Sequence, residues 1–192
     1  GMVGLIEDVS KTVTSYFKNE GDIIALIGNI DFSTSIGGSE YLSNQHGLVK
    51  GDAPEIDLEQ EHLLIKTLIG LAKAGVINSA HDSADGGIAV AVAESCLINR
   101  NIPKGCTVII KQHDRQDFVL FSESQSRVII SFSPEMEAKV MDICQKLGSG
   151  FEKIGLVGGN SIKLNDIEIP LETAEDAYYN SISKIMEAEV IR

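Results

Sequence analysis

The sequence has little positive charge. Its 192 residues include 16 Lys and Arg against 28 Asp and Glu, which gives a formal net charge of −12. Binding to a nucleic-acid backbone requires clustered Lys and Arg, and the sequence has no such cluster. An anionic membrane surface is disfavoured for the same reason. A nucleotide remains compatible with this charge where a divalent cation or backbone N–H groups neutralise its phosphates.

Long apolar runs and a targeting segment are also missing. No run approaches the roughly 18 residues that a membrane-spanning helix needs. The opening residues GMVGLIEDVS carry acids where the basic region of a signal peptide would lie. Gly1 before Met2 is typical of a cleaved tag, so we expect the chain to be a piece of a longer protein.

Cysteine is sparse, with Cys96, Cys106 and Cys144 far apart and odd in number. No CxxC spacing occurs, so neither a disulfide framework nor a zinc site is indicated. Cys96 and Cys144 fall on apolar faces of predicted helices, where a buried thiol is expected. This use of cysteine favours a reducing, cytoplasmic compartment.

Hydrophobic patterning predicts one α+β (layered α/β) domain over residues 21–192, preceded by a polar, irregular connector over residues 1–20. GDIIALIGNI is a buried strand, and Asp57 and Gly75 delimit a helix. Pro134 and Gly148 delimit another. Three strands follow, joined by turns at Gly158-Gly159 and Asn165-Asp166, and the Gly158-Gly159 turn is predicted to close a hairpin. The order of elements predicts a mixed sheet flanked by helices, not a doubly wound parallel sheet.

The stretch SAHDSADGGIAVAVAESC carries the first candidate site. Asp82 is predicted at the end of a strand and Asp85 at the N-cap of the following helix. Gly86 and Gly87 would let a phosphate approach the backbone, and Asp82 is a candidate Mg²⁺ ligand. The alternative is a strand, a glycine turn and a capped helix that bind nothing.

Two further motifs are open to the same pair of interpretations. SIGGSEY places Gly37, Gly38 and Ser39 ahead of a helix start, where they can cradle an anion or simply form a turn. FSESQSR gathers four polar side chains before a strong strand, and they can bind a polar ligand or stabilise their own loop. These four are Glu123, Ser124, Gln125 and Arg127.

Taken together, GGSEY, HDSADGG with AVAVAESC, and LFSESQSR resemble phosphoribosylformylglycinamidine synthase in order and spacing. The likeness covers nearly the whole chain and is greatest to the last domain of the synthetase subunit. VGLIED at the start is similar to the segment that joins this domain to the preceding one. The wider superfamily is that of aminoimidazole ribonucleotide synthetase, whose members pair an N-terminal ATP-binding half with a C-terminal α/β half.

The resemblance implies a reaction for the complete enzyme. ATP, with Mg²⁺, activates the amide oxygen of formylglycinamide ribonucleotide by phosphorylation, and glutamine-derived ammonia displaces it to form the amidine of purine biosynthesis. It also implies partners, namely the upstream domains of the same subunit and a glutaminase subunit or domain. The cofactors implied for the full enzyme are Mg²⁺ and ATP or ADP.

The resemblance also limits what this chain does alone. The family's catalytic histidine and ATP-binding lysine belong to N-terminal halves that have no matching segment here. Glu123, Ser124 and Gln125 match the substrate-binding Glu-Ser-Gln of the first copy of this domain, whereas this sequence resembles the second copy. Asp82 matches the Mg²⁺-binding acid of that first copy. An isolated domain is therefore expected to be inactive. The alternatives are a purely structural half-domain, or the C-terminal half of another superfamily member such as a small-molecule kinase.

Overall fold

The computed structural model describes residues 1, 3–31, 35–110 and 115–190. Seven strands and six α-helices lie within these ranges. The strands are β1 (Ile23–Gly28), β2 (Ser79–Asp82), β3 (Cys106–Val108), β4 (Arg127–Phe132), β5 (Gly150–Val157), β6 (Ser161–Leu164) and β7 (Ile167–Pro170). The helices are α1 (Glu40–His46), α2 (Leu58–Ala74), α3 (Gly87–Leu97), α4 (Gln116–Phe121), α5 (Glu137–Leu147) and α6 (Leu171–Val190).

The strands form one sheet in the order β2-β4-β1-β5-β3-β6-β7. The apolar strand β1 pairs antiparallel with both β4 and β5. Strand β3 pairs antiparallel with β5 and parallel with β6, which makes the sheet mixed. The predicted fold class is therefore confirmed.

Helices cover both faces of the sheet because β1 is apolar on both. Ile24 and Leu26 point to a core that includes residues of α3, α4 and α6. Ile23, Ala25 and Ile27 point to a second core formed with α2 and α5. No helix in the described part of the chain is both long and apolar enough to cross a membrane.

Several element ends confirm local sequence signals. The Ser39 hydroxyl accepts from the Leu42 N–H at the start of α1, and Asp57 accepts from two N–H groups at the start of α2. Gly75 and Gly148 end α2 and α5 in the left-handed conformation. Ser39 and Asp57 therefore act through side-chain hydrogen bonds, and the two glycines through their tolerance of positive φ.

Two predictions made from local sequence are wrong. Asp85 is not the N-cap of α3: Gly86 takes that position with φ of 75° and no side-chain capping bond. The Gly158-Gly159 turn does not close a hairpin, because β3 lies between β5 and β6 in the sheet. The Gly158 N–H instead donates to the Gly105 carbonyl at 2.7 Å.

The end of the predicted connector packs onto the domain. Phe17 is buried in the core beside α3, and its N–H donates to the Ser95 carbonyl at 2.8 Å. The Thr14 carbonyl accepts from the Ala80 N–H at 3.0 Å. Val3 and Leu5, nearer the start, are fully exposed. The division at residue 20 into connector and domain stays a prediction.

All three cysteines are buried free thiols, as expected for Cys96 and Cys144. The fold brings together two cysteines that are separate in sequence: the Sγ atoms of Cys96 and Cys106 lie 3.6 Å apart. The hydrogen bond with Cys106 and burial both raise the pKa of the Cys96 thiol, and burial raises the pKa of Cys144 to about 11. The thiols of Cys96 and Cys144 are therefore protonated at neutral pH.

Candidate functional site

The sheet register brings two of the three motifs together. β2 pairs antiparallel with β4, with Asp82 opposite Val128, so the end of one strand meets the beginning of the other. The Ser83 N–H donates to the Arg127 carbonyl at 3.0 Å and continues the ladder by one residue. The acidic turn after β2 therefore lies against the loop that precedes β4.

Glu123 joins the third motif to these two. Its Oε1 accepts from the Gly86 N–H at 2.8 Å and from the Glu40 N–H at 2.9 Å. Gly86 lies at the start of α3 and Glu40 at the start of α1, so one carboxylate oxygen holds two helix starts. The rings of Tyr41 and Phe121 stack beside this contact with centroids 4.7 Å apart. The three motifs found in the sequence thus form one cluster.

The glycines of SIGGSEY permit a backbone crossing. A Cβ on Gly37 would lie 2.6 Å from the Asp52 carbonyl oxygen, and the Gly38 N–H donates to the Lys50 carbonyl at 2.8 Å. The Gly37 N–H donates to the Ser35 hydroxyl, and the Ser39 N–H donates to the Ile36 carbonyl. The predicted anion-binding N–H groups here all have partners within the chain.

The Gly86-Gly87 pair is equally constrained. Both residues have positive φ, of 75° and 66°. A Cβ on Gly87 would lie 2.7 Å from the Ser122 carbonyl oxygen and 2.8 Å from that of Leu120. The Gly87 N–H donates to the Ala84 carbonyl, and the Gly86 N–H donates to Glu123. A phosphate would reach these two donors only by displacing those partners, so their binding role stays a prediction.

A cavity of about 370 Å³ opens beside this cluster. Asp82, whose side chain is 78% exposed, borders it together with residues of the acidic turn, the loop before β4 and helix α2. The polar residues that matter here are Glu61, Asp82, Ser83, Glu123, Gln125 and Arg127. Asp82, Glu123, Gln125 and Arg127 were predicted from the sequence, whereas Glu61 and Ser83 were not.

Two buried polar atoms at this cavity have no hydrogen-bond partner: the Ser83 Oγ and the Gln125 Oε1. The other end of the Gln125 amide is held, since its Nε2 donates to the Pro54 carbonyl at 3.2 Å. Buried polar groups in folded proteins nearly always have partners. These two atoms make the cavity a candidate site for a polar ligand.

Arg127 is a buried residue that stabilises the lining of the cavity. It is 2% exposed, and its Nη2 donates to the Asp31 carbonyl at 2.6 Å while its Nη1 lies 3.4 Å from the Ser122 hydroxyl. Burial lowers the pKa of Arg127 to about 10, partly offset by the charge of Asp31. The guanidinium is therefore still charged at neutral pH and fixes the strand that precedes Asp31 to the loop before β4.

The remaining residues of the predicted loop differ in position. Ser124 is buried and its hydroxyl lies 2.9 Å from that of Ser122, away from the cavity. Ser126 has a φ of 61°, uncommon for a residue other than glycine, and its hydroxyl donates to the Glu61 Oε2 at 2.6 Å. Glu61 was missed because a glutamate in the first turn of a helix is equally typical of a solvated surface.

The carboxylates around the cavity do not form a metal centre by themselves. Among residues 1, 3–31, 35–110 and 115–190, no group of three or more His, Cys, Asp or Glu side chains could hold a metal ion. Magnesium is commonly bound in proteins through one or two carboxylates, with phosphate oxygens and waters completing its shell. Asp82 is thus suited to a metal that arrives with a phosphate ligand.

Comparison with known proteins identifies the family to which this chain belongs. Residues 19–166 match the family model described as AIR synthase related protein, C-terminal domain. The chain belongs to this family. The matched model describes the C-terminal domain of this family, which is the domain that the sequence motifs resemble. The resemblance to the superfamily is therefore confirmed.

Two curated relatives of this AIR synthase related domain carry the same name. "Phosphoribosylformylglycinamidine synthase subunit PurL" of Anaeromyxobacter sp. (strain K) is 38% identical over 97% of the chain and 25% of the relative. The protein of the same name from Caldanaerobacter subterraneus subsp. tengcongensis is 41% identical over 97% of the chain and 26% of the relative. The chain thus spans about a quarter of the length of these curated relatives.

Solved structures show the same fold. "T. maritima PurL complexed with ATP" matches with a TM-score of 0.67 and 20% identity, over 87% of this chain and 28% of that one. "T. maritima PurL complexed with FGAR" matches with a TM-score of 0.70 and 19% identity, over 87% and 30% of the two chains. At this identity the likeness concerns the fold of the AIR synthase related domain.

Proposed function

We propose that this chain is the C-terminal domain of the synthetase subunit of phosphoribosylformylglycinamidine synthase. In that role it contributes to the ATP- and ammonia-dependent conversion of formylglycinamide ribonucleotide to the amidine. The relatives that share 37–42% of its residues carry this enzyme's name, which supports the proposal. The structural observation that carries it is the union of the three family motifs around Glu123, beside a cavity that Asp82 borders.

The cavity is proposed as one wall of a site for a nucleotide with its magnesium ion. Asp82 would bind the metal through its exposed carboxylate, while Ser83 and Gln125 offer hydrogen-bonding atoms that lack partners. When bound, magnesium offsets the negative charge of the phosphates. The residues of this chain hold and orient that ligand, whereas the chemical step requires groups from other domains.

Partners follow from the same proposal. The domain would pack against the preceding domains of its own subunit, and the subunit against a glutaminase that supplies ammonia. One structural neighbour is described as "Structure of PurLQS from Thermotoga maritima", a title that supports an assembly of this kind.

We expect the isolated chain to convert no formylglycinamide ribonucleotide when given ATP, Mg²⁺ and ammonia. Product formation by the isolated chain, measured by chromatography, would contradict the proposal.

A structural half-domain is the second candidate function. The N–H groups of Gly37, Gly38, Ser39, Gly86 and Gly87 all donate within the chain, as they would if the motifs only stabilise the fold. In that case the domain completes the architecture of the subunit and binds no nucleotide. The two candidates differ in what they require of Asp82.

Replacement of Asp82 by Asn tests the magnesium site directly. The amide keeps the size of the side chain but removes the charge that attracts the metal, so we expect the affinity of the complete subunit for Mg·ADP to fall by about tenfold or more. Titration calorimetry of the complete subunit, with and without the substitution, measures this change, because this chain supplies only one wall of the proposed site. Asp85→Asn is the matched control, because Asp85 is an exposed acid of the same turn that does not border the cavity. Equal affinities for the wild-type subunit and the subunit carrying Asp82→Asn, or no binding by either, would favour the structural half-domain.

A further inference from the structure

Ser83 differs from every other buried serine in the described part of the chain. It is 7% exposed and its Oγ has no hydrogen-bond partner. By contrast, the Ser79 hydroxyl lies 2.6 Å from that of Ser131, and the Ser95 hydroxyl donates to the Ala91 carbonyl at 2.8 Å. Ser39, Ser122, Ser124 and Ser126 have partners as well. Ser83 also borders the cavity beside Asp82.

An unpartnered buried hydroxyl does not stabilise the fold. Burying it removes its hydrogen bonds to water, and nothing in the free chain replaces them. An alanine at this position would fill nearly the same space without that cost. A serine that contributes nothing to the free protein is explained when a ligand supplies the missing partner. The hydroxyl can meet such a ligand after rotation about a single bond.

Gln125 defines what kind of ligand that is. Its Nε2 donates to the Pro54 carbonyl, which leaves the Oε1 as an enclosed acceptor at the same cavity. The ligand must therefore bring a hydrogen-bond donor to this atom. A bare phosphate oxygen is an acceptor and cannot do so.

The charges around the cavity lead to the same class of ligand. Glu61, Asp82 and Glu123 all border it, and the Arg127 guanidinium is directed to the Asp31 carbonyl and the Ser122 hydroxyl. Such surroundings favour a cation or a metal-bound group over a free anion. A hydrated magnesium ion combines positive charge with coordinated waters, and each of those waters is a donor.

We propose that Ser83, together with Gln125, binds the hydrated magnesium ion of a nucleotide at this cavity, with both residues contacting its coordinated waters. This inference rests on the proposed function, in which Asp82 binds the metal. It assigns Ser83 a binding role that sequence reasoning passed over, because a serine between two acids of a turn is unremarkable in composition. It also explains why the hydroxyl has no partner in the free chain.

Replacement of Ser83 by alanine separates a ligand-binding role from a structural one. We expect its midpoint of urea unfolding without ligand to equal or exceed that of the wild-type chain, since no hydrogen bond is lost. We expect the affinity of the complete subunit for Mg·ADP, measured by calorimetry, to fall by about five- to tenfold in this variant, the effect of one lost hydrogen bond. Ser95→Ala is the matched control: it removes a partnered buried hydroxyl away from the cavity, so it should lower the unfolding midpoint and leave the affinity unchanged.

Each outcome decides between the two proposals. Wild-type affinity in Ser83→Ala, together with weak binding by Asp82→Asn, would overturn the role of Ser83 and leave the proposed function standing. A loss of unfolding midpoint in Ser83→Ala as large as that in Ser95→Ala would overturn the role of Ser83 as well, including the case in which the variant fails to fold. Absence of Mg·ADP binding by the complete wild-type subunit would overturn both. Gln125→Met, which removes the acceptor at similar volume, should repeat the loss of affinity.

Discussion

Gly87→Ala is expected to lower the free energy of unfolding by about 3 kcal/mol, the sum of backbone strain and overpacking. Gly87 has a φ of 66°, which a residue with a Cβ adopts at a cost. The new Cβ would also lie 2.7 Å from the Ser122 carbonyl oxygen and 2.8 Å from that of Leu120. These are backbone atoms, so no rotation of a side chain relieves the contact. Chemical denaturation followed by circular dichroism measures the change.

Gly75→Ala is the matched control for this prediction. Gly75 has a nearly equal φ of 63°, but a Cβ there would meet no atom within 4 Å. It should therefore show the backbone strain alone, about 1 kcal/mol. If the two variants lose the same stability, the close approach between the start of α3 and the end of α4 is not as tight as described.

Glu123→Ala is expected to lower the free energy of unfolding by about 2 kcal/mol, because hydrogen bonds to a charged group are worth more than neutral ones. The variant removes the acceptor that Gly86 and Glu40 share, at 2.8 and 2.9 Å. The expected loss is smaller than the sum for two such bonds, because Glu40 is exposed and water can replace the acceptor there. Denaturation by urea, with amide exchange at Gly86 and Glu40, measures the effect.

Glu123→Gln is the control for charge. The amide oxygen can still accept from both N–H groups, so we expect this variant to lose less than half of the stability that the alanine variant loses. Faster amide exchange should appear at Gly86 and Glu40 in Glu123→Ala and be weak in Glu123→Gln. If Glu123→Ala has the same free energy of unfolding as the wild-type chain, this carboxylate does not stabilise the two helix starts.

Local sequence signals predicted the parts of the fold that neighbouring residues determine. Ser39 and Asp57 cap their helices, and Gly75 and Gly148 end theirs, because each side chain or its absence acts on its own backbone. Asp82 lies at the end of β2, as predicted. Both wrong predictions, the Asp85 cap and the Gly158-Gly159 hairpin, concern positions where a distant segment replaces the local solution. Glu123 accepts from the N–H of Gly86, the N-cap of α3, and β3 separates the two strands around the Gly158-Gly159 pair.

The site was predictable only in outline. Its motifs are visible in the sequence, but the hydrogen bonds that join them cross long stretches of chain, as from Glu123 to Glu40. The missing partner of Ser83 is a property of its surroundings and leaves no trace in residue type. Glu61 resembles any acid in the first turn of a helix. The pairing of Cys96 with Cys106 likewise depends on how α3 lies on β3.

The order of strands has a consequence for how the chain folds. Strand β1 lies near the start of the sequence, yet Ile23 pairs with Phe132 on one side and with Leu156 on the other. During synthesis this run of Ile, Ala and Leu therefore waits for partners that emerge much later. Topologies dominated by such distant pairings fold slowly, on the millisecond to second scale, and leave apolar strands open to aggregation meanwhile. We expect the yield of folded chain to depend strongly on temperature during expression and on chaperones that shield β1 until β4 and β5 arrive.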